Sequence, residues 1–138
     1  QVTLPLPPVV RKSSIQAAIA AVHADATTAD GTDWRQIVAL YDQLYALRPD
    51  AVVAINRAIA IGELHGAAAG LVALELADES AVATYQPFHA TRADLLARCG
   101  RRADALAAYD RAVELTDNPV EREFLERRKA AAASRPSV

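Results

Sequence analysis

The sequence predicts an all-α fold in which antiparallel helices stack on one another. Hydrophobic residues make up 52% of the 138 residues and alanine dominates them, whereas aromatic residues reach only 5% and there are 5 glycines. This composition favours close-packed helices over sheets. Apolar residues also recur at helical spacing along most of the chain, and the connections between these stretches are short.

Seven helical stretches follow in order, each with a start or stop signal. Pro49 ends the second, because the residue before a proline avoids helical angles. Asp50 is placed to cap the third, which stops at Gly66, and Gly100 closes the fifth in the left-handed conformation. Residues 78–80 are predicted as a loop. The stretches are 13–24, 33–49, 50–64, 67–77, 85–99, 102–115 and 119–132.

Two further residues are predicted structural caps. Asp33 precedes the second helix, which begins at Trp34, and Asn118 precedes the last helix. Pro119 suits a first helical turn, and Glu121 has the spacing of a capping box. The resulting organisation is a Pro-rich linker over 1–12 that joins a missing N-terminal part, a helical-repeat domain over 13–133 and a disordered tail over 134–138.

A repeat relates the third and fourth stretches to the fifth and sixth. Arg57 and Ala58 recur as Arg92 and Ala93, 35 residues later. Gly70, Leu71, Leu74 and Ala77 match Ala105, Leu106, Tyr109 and Ala112. The period is close to the roughly 34 residues of a tetratricopeptide repeat (TPR). We therefore expect a right-handed superhelix of antiparallel helix pairs, TPR-like, with about three repeats and a C-terminal capping helix.

Several longer motifs occur in a particular order: IQAAIAAVHADA, TDWRQIVALYDQL, NRAIAI and RADLLARCGRRADALAAYDRAVELTDNPVEREFLERR. Over residues 14–128 they resemble the C-terminal TPR-like extension of bacterial extracytoplasmic-function (ECF) RNA polymerase sigma factors. The resemblance implies a role in transcription initiation, with promoter recognition and polymerase binding carried by other regions of such a protein. The residues before Ile15 depart from the aromatic entry expected of that family.

Composition and charge limit the function classes. The net charge is -2, from 15 basic and 17 acidic residues, which does not predict direct nucleic-acid binding by this chain. No apolar run is long enough to cross a membrane. The single cysteine, Cys99, cannot form an internal disulfide, so we expect a reducing, cytoplasmic location. Its place at a helix C-terminus favours an unreactive thiol.

The stretch HADATTADGTDW contains the candidate metal ligands, which are His23, Asp25, Asp30 and Asp33. It has neither HExxH nor EF-hand spacing, and no CxxC pair occurs in the chain. We therefore interpret the stretch as a helix end, a linker and a helix start, and we expect no metal and no cofactor. No arrangement typical of catalysis is present, so we expect a protein that is not an enzyme.

The candidate partner-binding residues are Asn56, Arg57, His89 and Arg92, which we place on the first helices of successive repeats, where a concave groove forms. Matched arginines on that face can hold a partner's backbone or carboxylate. The alternative is that each arginine pairs with an acid of a neighbouring helix, such as Asp42 or Asp94.

The last helix is expected to act as an amphipathic cap. In this interpretation Phe124 and Leu125 cover the final repeat, whereas Arg127, Arg128 and Lys129 remain in solvent. A DNA contact from these three cations is the alternative.

The sequence thus predicts a non-catalytic regulatory domain that docks a protein partner. The partner would be the sigma regions, RNA polymerase or a signalling protein. The alternative is an unrelated TPR-type peptide-binding adaptor.

Overall fold

The computed structural model describes residues 12–25 and 33–134, without the side chains of residues 12–14, 16 and 23–25. This part of the chain is all-helical and contains eight helices. They are α1 (Lys12–Asp25), α2 (Trp34–Leu47), α3 (Ala51–His65), α4 (Ala67–Leu74), α5 (Glu79–Val82), α6 (Gln86–Arg98), α7 (Arg102–Leu115) and α8 (Pro119–Ser134). The all-α prediction is therefore confirmed.

The helices pack mainly on their neighbours in sequence. Contacts join α1 to α2, α2 to α3, α3 to α4, α4 to α6, α6 to α7 and α7 to α8, and α3 also meets α6. This order of contacts follows from short connections, which leave consecutive helices adjacent.

Three clusters of buried side chains run along the stack. The N-terminal core joins α1, α2 and α3, the middle core joins α3, α4, α5 and α6, and the C-terminal core joins α6, α7 and α8. Tyr45 packs against both the N-terminal and the middle core, and Leu71 packs against both the middle and the C-terminal core. These two half-buried side chains therefore connect the three cores into one apolar interior.

Small residues set the distance between α3 and α4. A Cβ atom added to Gly70 would lie 3.0 Å from the Ala58 carbonyl oxygen and 3.1 Å from the Gly62 Cα. The two backbones are thus too close for a side chain at this point. The repeat predicted a small residue here, and Gly70 and its match Ala105 are both buried.

The predicted helix starts and stops are largely confirmed. The Asp33 carboxylate accepts a hydrogen bond from the Gln36 N–H at 3.1 Å, and Asp50 accepts one from the Val53 N–H at 2.9 Å. Asn118 accepts one from the Val120 N–H at 2.9 Å. Gly100 has φ 78°, in the left-handed region.

The capping box at Asn118 differs from the expected one. The Asn118 N–H donates to the Thr116 hydroxyl at 3.2 Å, and that hydroxyl donates to the Glu121 carboxylate. Glu121 therefore acts on the helix start through the buried Thr116, which is placed between the two groups.

The prediction of a loop over 78–80 is wrong for Glu79 and Ser80, which begin α5. Asp78 accepts hydrogen bonds from the Ser80 N–H at 3.1 Å and from its hydroxyl at 3.0 Å. Helix α1 begins at Lys12 and α8 ends at Ser134. The rest of the predicted linker and tail lies outside the described residues.

Within residues 12–25 and 33–134, no helix is both long enough and apolar enough to span a bilayer.

A candidate partner-binding groove between α4 and α7

A groove of about 650 Å³ opens where α4, α5, α6 and α7 meet. Its buried lining includes the apolar side chains of Leu74 and Val82, and half-buried Phe88 lies beside them. Its charged and polar lining consists of Glu75, Glu79, His89, Arg92 and Arg111. A smaller cavity of about 180 Å³ shares Leu74, Glu75, Phe88 and Arg92 with it and continues to Leu96 and Arg101.

The short helix α5 positions one side of this groove. Its last residue, Val82, is 1% exposed and belongs to the middle core. Burial of this side chain holds α5 against the stack, and the helix then places Glu79 and Ala83 on the groove. The connection from α4 to α6 thus contains a helix, whereas the connection from α2 to α3 consists of only three residues, 48–50.

Two groove side chains meet on one carbonyl oxygen, that of Ala83. His89 Nε2 lies 3.0 Å from this oxygen, and Arg111 donates to it from Nη2 at 3.2 Å. Because a carbonyl oxygen only accepts, His89 Nε2 carries the hydrogen. Arg111 also pairs with Glu114 at 3.2 Å. Both side chains therefore fix the turn between α5 and α6.

Arg92 differs from these two residues. Its side chain is half-buried on the groove, and no carboxylate of residues 12–25 or 33–134 forms an ion pair with it. Its five N–H donors are therefore available to a ligand.

Arg57, the sequence match of Arg92, is already engaged. Its Nε donates to Asp42 on α2 at 2.6 Å, and its guanidinium carbon lies 5.9 Å from the centre of the Tyr45 ring. The side chain is 22% exposed. The sequence left open an ion pair between Arg57 and Asp42 as the alternative to partner binding, and this ion pair is confirmed.

The groove thus unites only two of the four predicted partner-binding residues. His89 and Arg92 line it, whereas Asn56 is half-buried on α3 and neither Asn56 nor Arg57 is part of the lining. Sequence reasoning missed Glu75, Glu79, Phe88 and Arg111. The signal that could have predicted α5, and with it this side of the groove, was Asp78, which is a favourable N-cap residue.

The suggested pair between Arg92 and Asp94 is wrong. Asp94 instead accepts hydrogen bonds from the buried Tyr109 hydroxyl and from Arg128 Nε, the latter at 2.8 Å. Burial and the Asp94 carboxylate together raise the pKa of Tyr109 to about 12. This cluster joins α6, α7 and α8 and borders a cavity of about 150 Å³.

Arg127 and Arg128 on α8 are exposed, as expected, and Lys129 is half-buried, but all three cations form ion pairs. Arg127 pairs with Glu123 at 2.8 Å, Arg128 with Asp94, and Lys129 with Asp110 at 2.5 Å. Leu125 is buried as expected, but Phe124 is 48% exposed, with Arg128 5.6 Å from the centre of its ring. Helix α8 thus contacts α6 and α7 through ion pairs as well as through Leu125.

No metal-binding group of three or more His, Cys, Asp or Glu side chains is found within the described residues. The side chains of His23 and Asp25, and the whole of Asp30, lie outside them. Cys99 is free and half-buried at the end of α6.

No protein-family model matches the chain. An uncharacterized protein of Rhizobium meliloti (strain 1021) is 38% identical to it over 124 residues, which are 90% of this chain and 29% of the relative. The chain therefore spans less than a third of the length of the relative that it matches.

Proposed function

We propose that this chain is a TPR-like interaction domain of an ECF sigma factor, and that it docks a protein partner in the α4–α7 groove without a bond-making step. The partner is the promoter-binding sigma regions, RNA polymerase or a signalling protein. The observation that carries the docking role is Arg92, a half-buried cation without an ion pair in the described part of the chain, beside an apolar groove lining. The sigma-factor context rests on the motifs over residues 14–128.

The packing of equivalent positions supports the repeat. Ala58 and Ala93 are both fully buried, and so are Leu74 and its match Tyr109. Equivalent burial at a spacing of 35 residues is what stacked helix pairs require, because each pair presents the same face to the next. A right-handed superhelix of about three such pairs with α8 as its cap remains part of the proposal.

The test measures binding of the 138-residue chain to the purified promoter-binding regions of an ECF sigma factor, to core RNA polymerase and to promoter DNA. At physiological ionic strength, about 0.15 M, we expect binding to one of the two proteins and no specific binding to DNA. Specific binding to promoter DNA would contradict the proposal, and binding to neither protein would contradict docking on the sigma regions or on RNA polymerase. Binding to unrelated peptides alone would favour the adaptor alternative.

The groove is tested with a charge reversal at Arg92. Arg92→Glu is expected to weaken partner binding at least tenfold, which corresponds to about 1.4 kcal/mol, and to leave the melting temperature unchanged. Arg35→Glu is the matched control, because Arg35 is an exposed arginine on α2, outside the groove lining. Equal loss of binding in Arg92→Glu and Arg35→Glu would mean that the partner contacts a surface other than the groove.

A further inference from the structure

Ion pairs close two of the junctions between successive helix pairs. Asp42 on α2 pairs with Arg57 on α3 at 2.6 Å, and Asp110 on α7 pairs with Lys129 on α8 at 2.5 Å. In both cases an acid on the second helix of one pair holds a base on the next helix. Each acid directly follows a tyrosine, Tyr41 or Tyr109.

The middle junction carries an acid and a base at the matching positions, Glu75 and Arg92, but no ion pair joins them. Glu75 follows Leu74, which is the repeat match of Tyr109, and Arg92 is the match of Arg57. Both Glu75 and Arg92 line the groove. Within residues 33–134, neither the Glu75 carboxylate nor the Arg92 guanidinium forms an ion pair.

The inserted helix α5 borders the groove at this junction. Val82 is fixed in the middle core, and the Ala83 carbonyl accepts hydrogen bonds from His89 and Arg111. Burial of Val82 and the two hydrogen bonds to Ala83 therefore hold α5 and the turn after it beside the groove. The result is a preformed groove in which the charges of Glu75 and Arg92 have no protein partner in the described structure.

The chemistry of the lining restricts what the groove can take. A carboxylate would form charge-assisted hydrogen bonds with Arg92, whereas Glu75 and the exposed Glu79 oppose a ligand that is only negative. Glu79, like Glu75, forms no ion pair among the described residues. The apolar lining of Leu74, Val82 and Phe88 favours an aliphatic side chain.

We propose that the groove binds a peptide segment of the partner that carries an acidic side chain for Arg92, a basic side chain for Glu75 and Glu79, and aliphatic side chains between them. A volume of about 650 Å³ lies in the range of ligand pockets, about 300–1,000 Å³, and accommodates a few residues. This inference rests on the proposed function, since it names the chemistry of the partner's docking segment.

The probe is a blocked peptide, N-acetylated and C-amidated, with the core Glu-Leu-Leu-Lys. Three comparison peptides replace the Glu by Gln, the Lys by Gln, or both Leu by Ser. Binding to the 138-residue chain is followed by NMR shifts of the backbone amides of α4–α6 and of the Arg92 Nε–H. Replacement of the Glu or of the Lys is expected to weaken binding about tenfold, the loss that follows when a charged contact of about 1.4 kcal/mol is removed. Replacement of both Leu is expected to weaken binding at least as much, because it removes the apolar contacts.

A double-mutant cycle assigns the contact to Arg92. Arg92→Gln is expected to weaken the Glu peptide about tenfold and to leave the Gln peptide unaffected, whereas Arg35→Gln changes neither. Arg92→Gln removes no ion pair of the described structure, so the variant is expected to keep the circular dichroism spectrum and the melting temperature of the parent chain.

Three results would overturn the inference: no binding at millimolar peptide, equal binding of the Glu and Gln peptides, or shifts confined to helices outside the groove. Its failure is distinguishable from failure of the proposed function. If the peptide does not bind but the sigma regions or polymerase do, the peptide inference alone is wrong. If the peptide binds and neither protein does, docking on the sigma regions or on RNA polymerase is wrong, and the peptide inference stands.

Discussion

Arg57 and Arg92 show how one residue type at equivalent positions acquires two roles. Arg57 contacts Asp42 and the Tyr45 ring, so it supports the junction between α2 and α3. Arg92 has no ion pair in the described residues and lines the groove. The difference lies in the surroundings, because Asp42 lies within reach of Arg57, whereas Arg92 borders the groove beside α5.

Tyr109 makes the free energy of unfolding depend on alkaline pH. Its pKa is raised from the ordinary value of 10.0 to about 12, so between these two values the unfolded chain releases the phenol proton and the folded chain keeps it. The stabilisation is complete below pH 10 and is lost as the pH rises through 12. Tyr109→Phe lacks this ionisation.

The measurement is urea unfolding of the parent chain and of Tyr109→Phe at intervals over that pH range. The parent chain is expected to lose stability relative to the variant as the pH rises. Tyr85→Phe serves as the control, since it removes a phenol outside the Asp94 cluster. A constant difference between the parent chain and Tyr109→Phe would contradict the raised pKa.

At the scale of the element, local signals decide where helices begin. Asp33, Asp50, Asp78 and Asn118 each accept a backbone N–H at a helix start. These bonds satisfy donors that the helix itself leaves free. Because the interaction spans two or three residues, it can be predicted from the sequence.

Replacement of Asp33 measures how much the N-cap hydrogen bond of α2 contributes to the free energy of unfolding. Asp33→Ala is expected to lower the free energy of unfolding by about 1 kcal/mol, because the Gln36 N–H loses its acceptor. Asp33→Asn keeps a side-chain oxygen and is expected to lose much less. Equal losses in the two variants, measured by urea unfolding, would mean that the charge rather than the cap is responsible.

The crossing of α3 and α4 depends on two glycines with different surroundings. Gly70→Ala is expected to lower the free energy of unfolding by about 1–3 kcal/mol, because the new Cβ meets the backbone of Ala58 and Gly62 at 3.0 and 3.1 Å. Backbone atoms in a packed helix cannot move independently.

Gly62→Ala is the matched comparison for thermal or urea unfolding. Its Cβ closely approaches only Leu95 Cδ2, at 3.1 Å, and this side-chain end can rotate away. Alanine also favours the helix over glycine by about 1 kcal/mol, so the net effect is expected to be close to zero. A larger loss at Gly62 than at Gly70 would contradict the close backbone crossing.

At the scale of the whole molecule, stability depends on contacts between neighbouring helices. The three cores are joined by Tyr45 and Leu71, and α3 and α6 each take part in two of them. In such a stack the terminal helices have fewer neighbours than the central ones.

Amide hydrogen exchange tests this order of stability. The slowest exchange is expected in α3 and α6, whose residues Ala58 and Ala93 are fully buried, and faster exchange is expected in α1, which packs mainly on α2. Uniform protection from α1 to α8 would indicate a single cooperative unit and would contradict the prediction.

The sequence by itself determined the all-α class, most helix boundaries, the cap residues and the recurrence of small buried residues. Each of these depends on residues within about one helical turn or on a pattern that repeats along the chain. The resemblance to sigma-factor extensions likewise came from ordered local motifs, and it remains a proposal.

The tertiary structure alone decided which charges meet. Arg128 reaches Asp94 across 34 residues, and Arg57 reaches Asp42 across 15, whereas Arg92 and Glu75 line one groove without an ion pair in the described residues. Such pairs depend on the distance and rotation between helices, which are set by packing of the whole stack. For this reason the sequence could nominate His89 and Arg92, but only the structure united them with Glu75, Glu79 and Phe88 in one groove.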